Sequence, residues 1–300
     1  MSAEISNPFS TGGGGQFFEA KVQASFLLHL LIGGRVPCLL SHNVQSIRLQ
    51  AKQAGFRTDD VVVSSGAGLG VEHRLLAQIK HHAAIAGSDG EFCEALENAW
   101  GDFSNEKAFA KNRDVLALIT GPQSDQTLQH VRPLFDWART SASSAEFVEK
   151  VATAKFSSDK KRHYLQVFKD VLATVTGATL TDDILWQFLK HLYLLSYDFD
   201  TQASKDEAAV LTILDLARNP NSSLDAQAIW DSLIVQTQEW NKTAGTFTKQ
   251  QLPERLRSAV LQQRSSAQRD AVSRLREHCG FVLGTINTCL LYTSPSPRDA

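Results

Sequence analysis

The chain has 300 residues, a formal net charge of -2 at pH 7 and 43% hydrophobic residues, as in globular proteins of one or two domains. This near-neutrality excludes a global field that would attract nucleic acid or an anionic membrane. The 4 cysteines form no CxxC pair, which argues against a disulfide framework or zinc cluster and favours a reducing compartment. Since the apolar runs are shorter than the ~20 residues that cross a bilayer, we expect a cytoplasmic protein without membrane contact.

The N-terminal segment STGGGGQFFE, from Ser10 to Glu19, looks at first like a phosphate-binding loop. It lacks the Lys-Ser/Thr pair of a P-loop, and no convincing strand precedes it, so nucleotide binding is not expected there. We predict a flexible leader over residues 2–15 and a buried helix over residues 17–32, stopped by Gly33 and Gly34.

Short β-branched segments then predict a sheet. Strand-like stretches begin at Pro37 and Ser46. FRTDDVVV and VEHRLLAQIK flank the turn SSGAGLG, and this pattern predicts an antiparallel hairpin. Helices are predicted near residues 91–100 and 105–111, and a buried strand over residues 114–120.

Beyond Gly121 the apolar spacing is helical throughout. Helices are predicted at residues 127–140, 145–156, 159–175, 182–195, 203–218, 225–242 and 253–278. The predicted fold is therefore an α/β domain over residues 1–121, with a mixed sheet flanked by helices, followed by an all-helical module over residues 122–288. Residues 289–300, CLLYTSPSPRDA, resemble a translated sequencing adapter, so we expect the chain to be a fragment.

The predicted hairpin also brings polar and charged side chains together at one end. Period-2 alternation places Gln78 and Lys80 on one face of their strand, and antiparallel pairing brings Asp59-Asp60 beside them. Glu19, on the upstream helix, is a candidate second carboxylate. Carboxylate oxygens suit Mg²⁺, and an ammonium group stabilises developing negative charge, so this combination is typical of metal-dependent phosphodiester hydrolysis.

Asp59-Asp60, then Gln78-Ile79-Lys80, with Glu19 upstream, resembles the PD-(D/E)xK nuclease family, in its Mrr-type branch with Q-x-K. NPFSTGGGGQFFEAKVQASFLL together with TDDVVV…QIKHH is similar to N-terminal double-strand DNA nuclease domains of bacterial anti-phage proteins. This resemblance implies a restriction-endonuclease-like fold and cleavage of double-stranded DNA with Mg²⁺ or Mn²⁺. It also implies a homo-oligomer and a further C-terminal ATPase or sensor domain.

The resemblance assigns a role to each residue of the motif. The implied metal ligands are Asp60, Asp59, Glu19 and Ile79. Asp60 would be the principal ligand and Asp59 its alternative, while Glu19 would bind the metal or position water. Gln78 stands where other members carry an acid, which favours one metal ion over two, and Lys80 would stabilise charge or orient the attacking water.

Other interpretations remain open at this stage. Asp59 and Asp60 are also common turn residues, and Gln78 and Lys80 would suit a solvated strand edge. The alternative functions are a catalytically inactive nucleic-acid-binding or scaffolding module of a signalling ATPase, and a helical signalling adaptor. His81 and His82 next to the motif are expected to be solvated or to contact DNA.

Overall fold

A mixed β-sheet organises the protein. The computed structural model describes residues 13–66 and 71–261. Among these residues the strands are β1 (Val44–Leu49), β2 (Val61–Ser65), β3 (His73–Lys80), β4 (Val115–Thr120), β5 (Leu192–Ser196) and β6 (Gly245–Thr248), in the order β5-β4-β3-β2-β1-β6. β3, β4 and β5 run parallel, whereas β6, β1, β2 and β3 pair antiparallel. The predicted mixed α/β architecture and the β2–β3 hairpin are confirmed.

Helices cover both faces of this sheet. In the described part of the chain they are α1 (Gly13–Ile32), α2 (Gly90–Phe103), α3 (Asp125–Thr140), α4 (Ser144–Ala152), α5 (Asp159–Thr176), α6 (Asp182–His191), α7 (Lys205–Ala217), α8 (Ala226–Thr243) and α9 (Glu254–Ala259). Most begin at a Ser, Thr or Asp whose side chain accepts a hydrogen bond from a backbone N–H of the first turn. None of the described helices is both long and apolar enough to cross a membrane.

Strand alternation divides the core into two layers. Leu75, Ala77 and Ile79 of β3 pack with α1, α7 and α8, whereas Leu76 packs on the opposite face with α2 to α6. α1 is buried over most of its circumference, as its continuous apolar sequence predicts. Glu19, on this helix, lies near Asp60 at the start of β2.

The structure corrects the predicted beginning of α1. This helix starts at Gly13, so residues 13–15 are helical instead of belonging to a flexible leader. Glycine costs about 1 kcal/mol per residue in a helix. The close packing of α1 in the core, where Phe18 and Val22 are fully buried, offsets that cost. The remainder of the predicted leader lies outside the described residues.

The prediction of an all-helical second part is wrong in two places. The helix predicted over residues 182–195 ends at His191, and Leu192–Ser196 continues as β5 because β4 offers a parallel strand with unpaired backbone groups. β6 pairs with β1 in the same way. The domain boundaries themselves and the narrower restriction-endonuclease-like fold stay predictions.

Two shorter predictions also fail. Residues 105–111 form turns instead of a helix, since the Asn105 side chain accepts a hydrogen bond from the Lys107 backbone and stabilises a turn. The strand predicted from Pro37 is reduced to an isolated bridge between Val36 and Leu39. The helix predicted over residues 253–278 covers only Glu254–Ala259 within the described residues, because Val260 is extended and forms an isolated bridge with Arg218. The part that follows residue 261 lies outside the described residues.

A buried carboxylate at the end of α2 fixes the chain just before Asp59. Asp102 accepts hydrogen bonds from the backbone N–H groups of Arg57 at 2.8 Å and Thr58 at 2.7 Å. Its side chain lies in the core. The approach of the chain to β2 therefore depends on this one acceptor.

We predict that Asp102→Asn lowers the free energy of unfolding by roughly 1–3 kcal/mol, because one buried N–H loses its acceptor and the other loses a charged one. Urea unfolding measures this change. The control, Glu239→Gln, alters an exposed carboxylate paired with Lys242 and should stay within about 0.5 kcal/mol of wild type. Equal stabilities of the two variants would contradict the assigned role.

Candidate functional site

Asp60 lies at the start of β2, directly across the hairpin from Gln78. Its Oδ2 atom accepts hydrogen bonds from the Gln78 Nε2 atom and from the Ile79 backbone N–H, both at 2.6 Å. The register that pairs Val61 with Ala77 places them opposite each other. The structure thus brings Asp60 and Gln78 together as the hairpin predicts, with Asp60 rather than Asp59 facing Gln78.

Glu19 approaches Asp60 from α1 through a bridging amide. Gln23 donates from Nε2 to Glu19 Oε1 at 2.9 Å and to the Asp60 carbonyl at 3.1 Å. Gln50 also donates to Glu19 Oε1, at 3.3 Å. Asn241 of α8 orients Gln23 by donating to its Oε1 atom at 2.6 Å. Two amide groups therefore bind the Glu19 carboxylate directly, and one of them, Gln23, is itself oriented by Asn241.

Lys80 is held by α2 instead of by the aspartates. Its Nζ atom lies 2.7 Å from Glu94 Oε2. On the same helix, Asn98 donates to Gln78 Oε1 at 3.4 Å. Sequence reasoning missed Glu94 and Asn98, although Glu91, Glu94 and Asn98 have the spacing of one helix face and signal a polar stripe.

The remaining predicted residues play different structural parts. Asp59 presents its backbone carbonyl to the N–H of Ala51 at 2.7 Å. Ile79 supplies a backbone donor to Asp60 while its side chain lies in the core. His81 pairs through Nε2 with Asp200 at 2.7 Å, which corrects the expectation of a solvated histidine.

We call Glu19, Gln23, Asp60, Gln78 and Lys80 the Asp60 cluster. Burial raises the pKa of Asp60 to about 7, and the charges of Glu19 and Asp59 add to this effect. The Ile79 N–H and the Lys80 charge oppose it but do not cancel it. Asp60 is therefore a carboxyl group whose proton is exchanged near neutrality, a property that is common at functional sites.

Two neighbours of Asp60 have shifted pKa values as well. Burial raises the pKa of Glu19, which exceeds the lowering by the Gln23 hydrogen bond. For Lys80, burial alone would lower the pKa, but the hydrogen bond and charge of Glu94 and the charge of Asp60 raise it overall. The cluster thus contains two carboxyl groups that resist ionisation and one lysine that remains protonated.

A cavity of about 440 Å³ opens beside Glu19. Its lining is polar and is drawn from α1, the end of β1 and α8. The lining residues are Gln16, Glu19, Ala20, Gln50, Gln238, Asn241 and Lys242. Amide groups dominate this surface, so it can donate and accept hydrogen bonds next to the carboxylates.

A metal ion at this site would need ligands besides side chains. Over residues 13–66 and 71–261, no three or more His, Cys, Asp or Glu side chains are grouped to hold a metal ion. Mg²⁺, however, is commonly bound by one or two carboxylates together with water and substrate phosphates. Asp60 Oδ1 accepts no hydrogen bond from a described residue, so Asp60 and Glu19 fit such a partial ligand set.

No protein-family model matches this chain, and no curated protein matches it. A similar solved structure is the Acinetobacter baumannii Cap4 SAVED/CARF-domain containing receptor with the cyclic trinucleotide 3′3′3′-cAAA. Its TM-score is 0.43 at 12% identity, over 77% of this chain and 41% of that one. The Moraxella osloensis Cap4 SAVED/CARF-domain containing receptor has a TM-score of 0.41 at 12% identity, over 79% and 45%. The chain therefore spans less than half the length of these structures.

These comparisons correct the family predicted from the sequence. Both structures are described as receptors, one of them with a cyclic trinucleotide, and neither is described as a nuclease. The predicted PD-(D/E)xK family, DNA hydrolysis, and double-stranded DNA as the partner are therefore wrong, as is the nucleic-acid scaffold alternative. The homo-oligomer, the Mg²⁺ or Mn²⁺ cofactor, the C-terminal ATPase or sensor and the cytoplasmic location stay predictions.

The raised pKa of Asp60 predicts a pH-dependent stability. In the unfolded chain an aspartate releases its proton near pH 4, whereas folded Asp60 keeps it up to about pH 7. The free energy of unfolding should therefore fall between about pH 4 and pH 7, by roughly 1–3 kcal/mol after allowance for solvent screening.

Asp60→Asn should flatten this decline, and urea unfolding in EDTA across that pH range measures it. Asp215→Asn, a change at an exposed residue of α7, should leave the decline as in wild type. A decline of the same size in Asp60→Asn would show that another group causes it.

Proposed function

We propose that the Asp60 cluster is a divalent-cation site for hydrolysis of a phosphate ester. DNA is no part of this proposal. The observation that carries it is Asp60 itself, a carboxyl group with a pKa of about 7, which Gln78 and Ile79 fix at Oδ2 while Oδ1 accepts no hydrogen bond from a described residue. A cation beside it would favour the ionised form that burial disfavours.

Asp60 and Glu19 are the residues that would hold Mg²⁺ or Mn²⁺. Bound there, the ion would polarise a phosphoryl oxygen and activate water. Gln78 orients Asp60 by donating to Oδ2, which leaves Oδ1 for the cation. Gln23 orients Glu19 and binds the Asp60 carbonyl with the same amide group, so it couples the two carboxylates.

Lys80 would stabilise the negative charge that develops on a phosphate during hydrolysis. Its pKa is raised despite partial burial, so the ammonium group stays charged at neutral pH. The hydrogen bond to Glu94 limits the positions that its long side chain can take. A charge held in place in advance stabilises a transition state more effectively than a mobile one does.

The polar cavity beside Glu19 would receive the substrate. Gln16, Gln50 and Asn241 offer amide groups along its wall, and Lys242, which is paired with Glu239, adds an exposed ammonium group. Such groups suit the oxygen-rich surface of a phosphate ester rather than an apolar molecule.

For the whole protein we propose a role in prokaryotic anti-phage defence, as part of a receptor for a cyclic oligonucleotide. The chain would contribute the Asp60 cluster to that longer receptor. The proposed role in defence does not depend on the proposed hydrolysis. The hydrolysis is argued only from the contacts of the Asp60 cluster.

We predict that MgCl₂ or MnCl₂ stabilises the full chain against thermal unfolding at pH 7.5. A ligand at about 100 times its Kd adds about 2.7 kcal/mol. Asp60→Asn should lose this stabilisation, whereas Asp215→Asn should retain it. An equal shift in wild type and Asp60→Asn would place the cation elsewhere.

A second prediction concerns turnover. With MnCl₂, wild type should hydrolyse the activated diester bis-para-nitrophenyl phosphate, followed by release of nitrophenolate. Lys80→Gln should reduce kcat roughly 100-fold, as the loss of one preorganised group does in other enzymes, while it still gains stability from the cation. Lys52→Gln, at an exposed lysine, should match wild type. Cation stabilisation without turnover in wild type would refute hydrolysis and leave the cation site standing.

A further inference from the structure

A second cavity, of about 240 Å³, lies at the end of the β3 and β4 strands that is opposite to the Asp60 cluster. β3 and β4 are parallel, so the N-terminal ends of both strands lie on the same side of the sheet, while Gln78 and Lys80 lie at the C-terminal end of β3. The cavity is bordered by residues 38–42, the end of β2 at Ser65, the start of β3 at His73 and residues 111–115. It is therefore separate from the Asp60 cluster.

Basic side chains line this cavity without a matching carboxylate. Lys111, Arg113, His42 and His73 all contribute to its wall. None of these four forms an ion pair with an acidic side chain of the described residues. Two of them, the lysine and the arginine, are cations at any neutral pH.

The acid on the cavity wall is already neutralised. Asp114 is fully buried and forms an ion pair with Arg74. It also accepts hydrogen bonds from the backbone N–H groups of Arg74 and Ala110, at 3.2 and 2.9 Å. Its charge and its oxygens are thus engaged with other groups, and the cavity keeps a positive field.

The loop that carries the two cations is held in place. His191 at the end of α6 binds the Lys111 carbonyl through Nε2 at 2.6 Å, and His73 binds the Arg113 carbonyl through Nδ1 at 3.2 Å. Lys111 Nζ lies 4.5 Å from the centre of the Phe103 ring. These contacts arrange the site before any ligand binds.

Arg113 retains an unused donor within this arrangement. Its Nε atom is buried and has no hydrogen-bond partner among the described residues. A buried donor without an acceptor is costly, and native structures usually satisfy such a donor with a protein group, an ordered water or a ligand. The donor therefore favours an acceptor-rich ligand in the cavity.

We infer that this cavity binds the phosphate group of a small molecule. A guanidinium and an ammonium group together suit a doubly charged phosphate, whose oxygens accept from both. Ser41 and Asn112 add neutral donors to the wall. The volume is below the ~300 Å³ of sites for drug-sized ligands, so it accommodates one phosphate with any larger substituent in solvent.

The test is calorimetric titration of the full chain, in low salt and with EDTA to exclude cation-dependent binding. Inorganic phosphate and uridine 5′-monophosphate are the ligands, and uridine is the control without phosphate. We expect saturable binding of both phosphates to wild type and to Asp60→Asn. Arg113→Gln and Lys111→Gln should each weaken binding roughly tenfold or more, and raised NaCl should weaken it further.

Lys155→Gln, at an exposed lysine outside the cavity, serves as the matched control and should bind as wild type does. Thermal unfolding without phosphate verifies that each variant is folded. Equal affinities for the two ligands would identify free phosphate, and tighter binding of the nucleotide would identify a nucleotide phosphate. Either result supports the site. No saturable binding to wild type, wild-type affinity in Arg113→Gln and Lys111→Gln, or binding of uridine as tight as that of its phosphate would overturn it.

Discussion

The contact between Asp60 and the end of β3 is the interaction on which the candidate site depends. One carboxylate oxygen of Asp60 accepts hydrogen bonds from both the Gln78 side chain and the Ile79 backbone N–H. The geometry of the site therefore depends directly on the register of the hairpin. A shift of one residue in this register would turn Gln78 to the opposite face and separate the two side chains. Asp102 stabilises this register by accepting hydrogen bonds from the backbone N–H groups of Arg57 and Thr58, just before Asp59.

The same contact explains the unusual electrostatics. Asp60 is placed where burial and the charge of Glu19 both disfavour its ionised form. Gln23 and Gln50 hold Glu19 beside Asp60, and Asn241 holds Gln23 in turn. The fold therefore holds two carboxyl groups whose negative charges disfavour each other, and a cation bound beside them would reduce that repulsion.

Sequence reasoning predicted the local part of this site and missed the rest for a physical reason. Strand alternation and the glycine turn sufficed for Asp60 and Gln78, since both lie on one hairpin. Glu94 and Asn241 come from helices that reach the site only through tertiary packing. β5 and β6 were missed likewise, because each forms only where a neighbouring strand offers its edge. The motif also suggested a family that the comparisons do not support. A few polar residues on a hairpin indicate a type of chemistry, but they are too few to identify a protein family.

The most direct test is the NMR titration of the Asp60 carboxyl carbon, assigned by its absence in Asp60→Asn. Without a divalent cation, we expect an apparent pKa of about 7 for Asp60. Addition of Mg²⁺ should lower it, because the cation favours the carboxylate. An apparent pKa near the ordinary value of about 4, unchanged by Mg²⁺, would contradict both the electrostatics of the cluster and its proposed role.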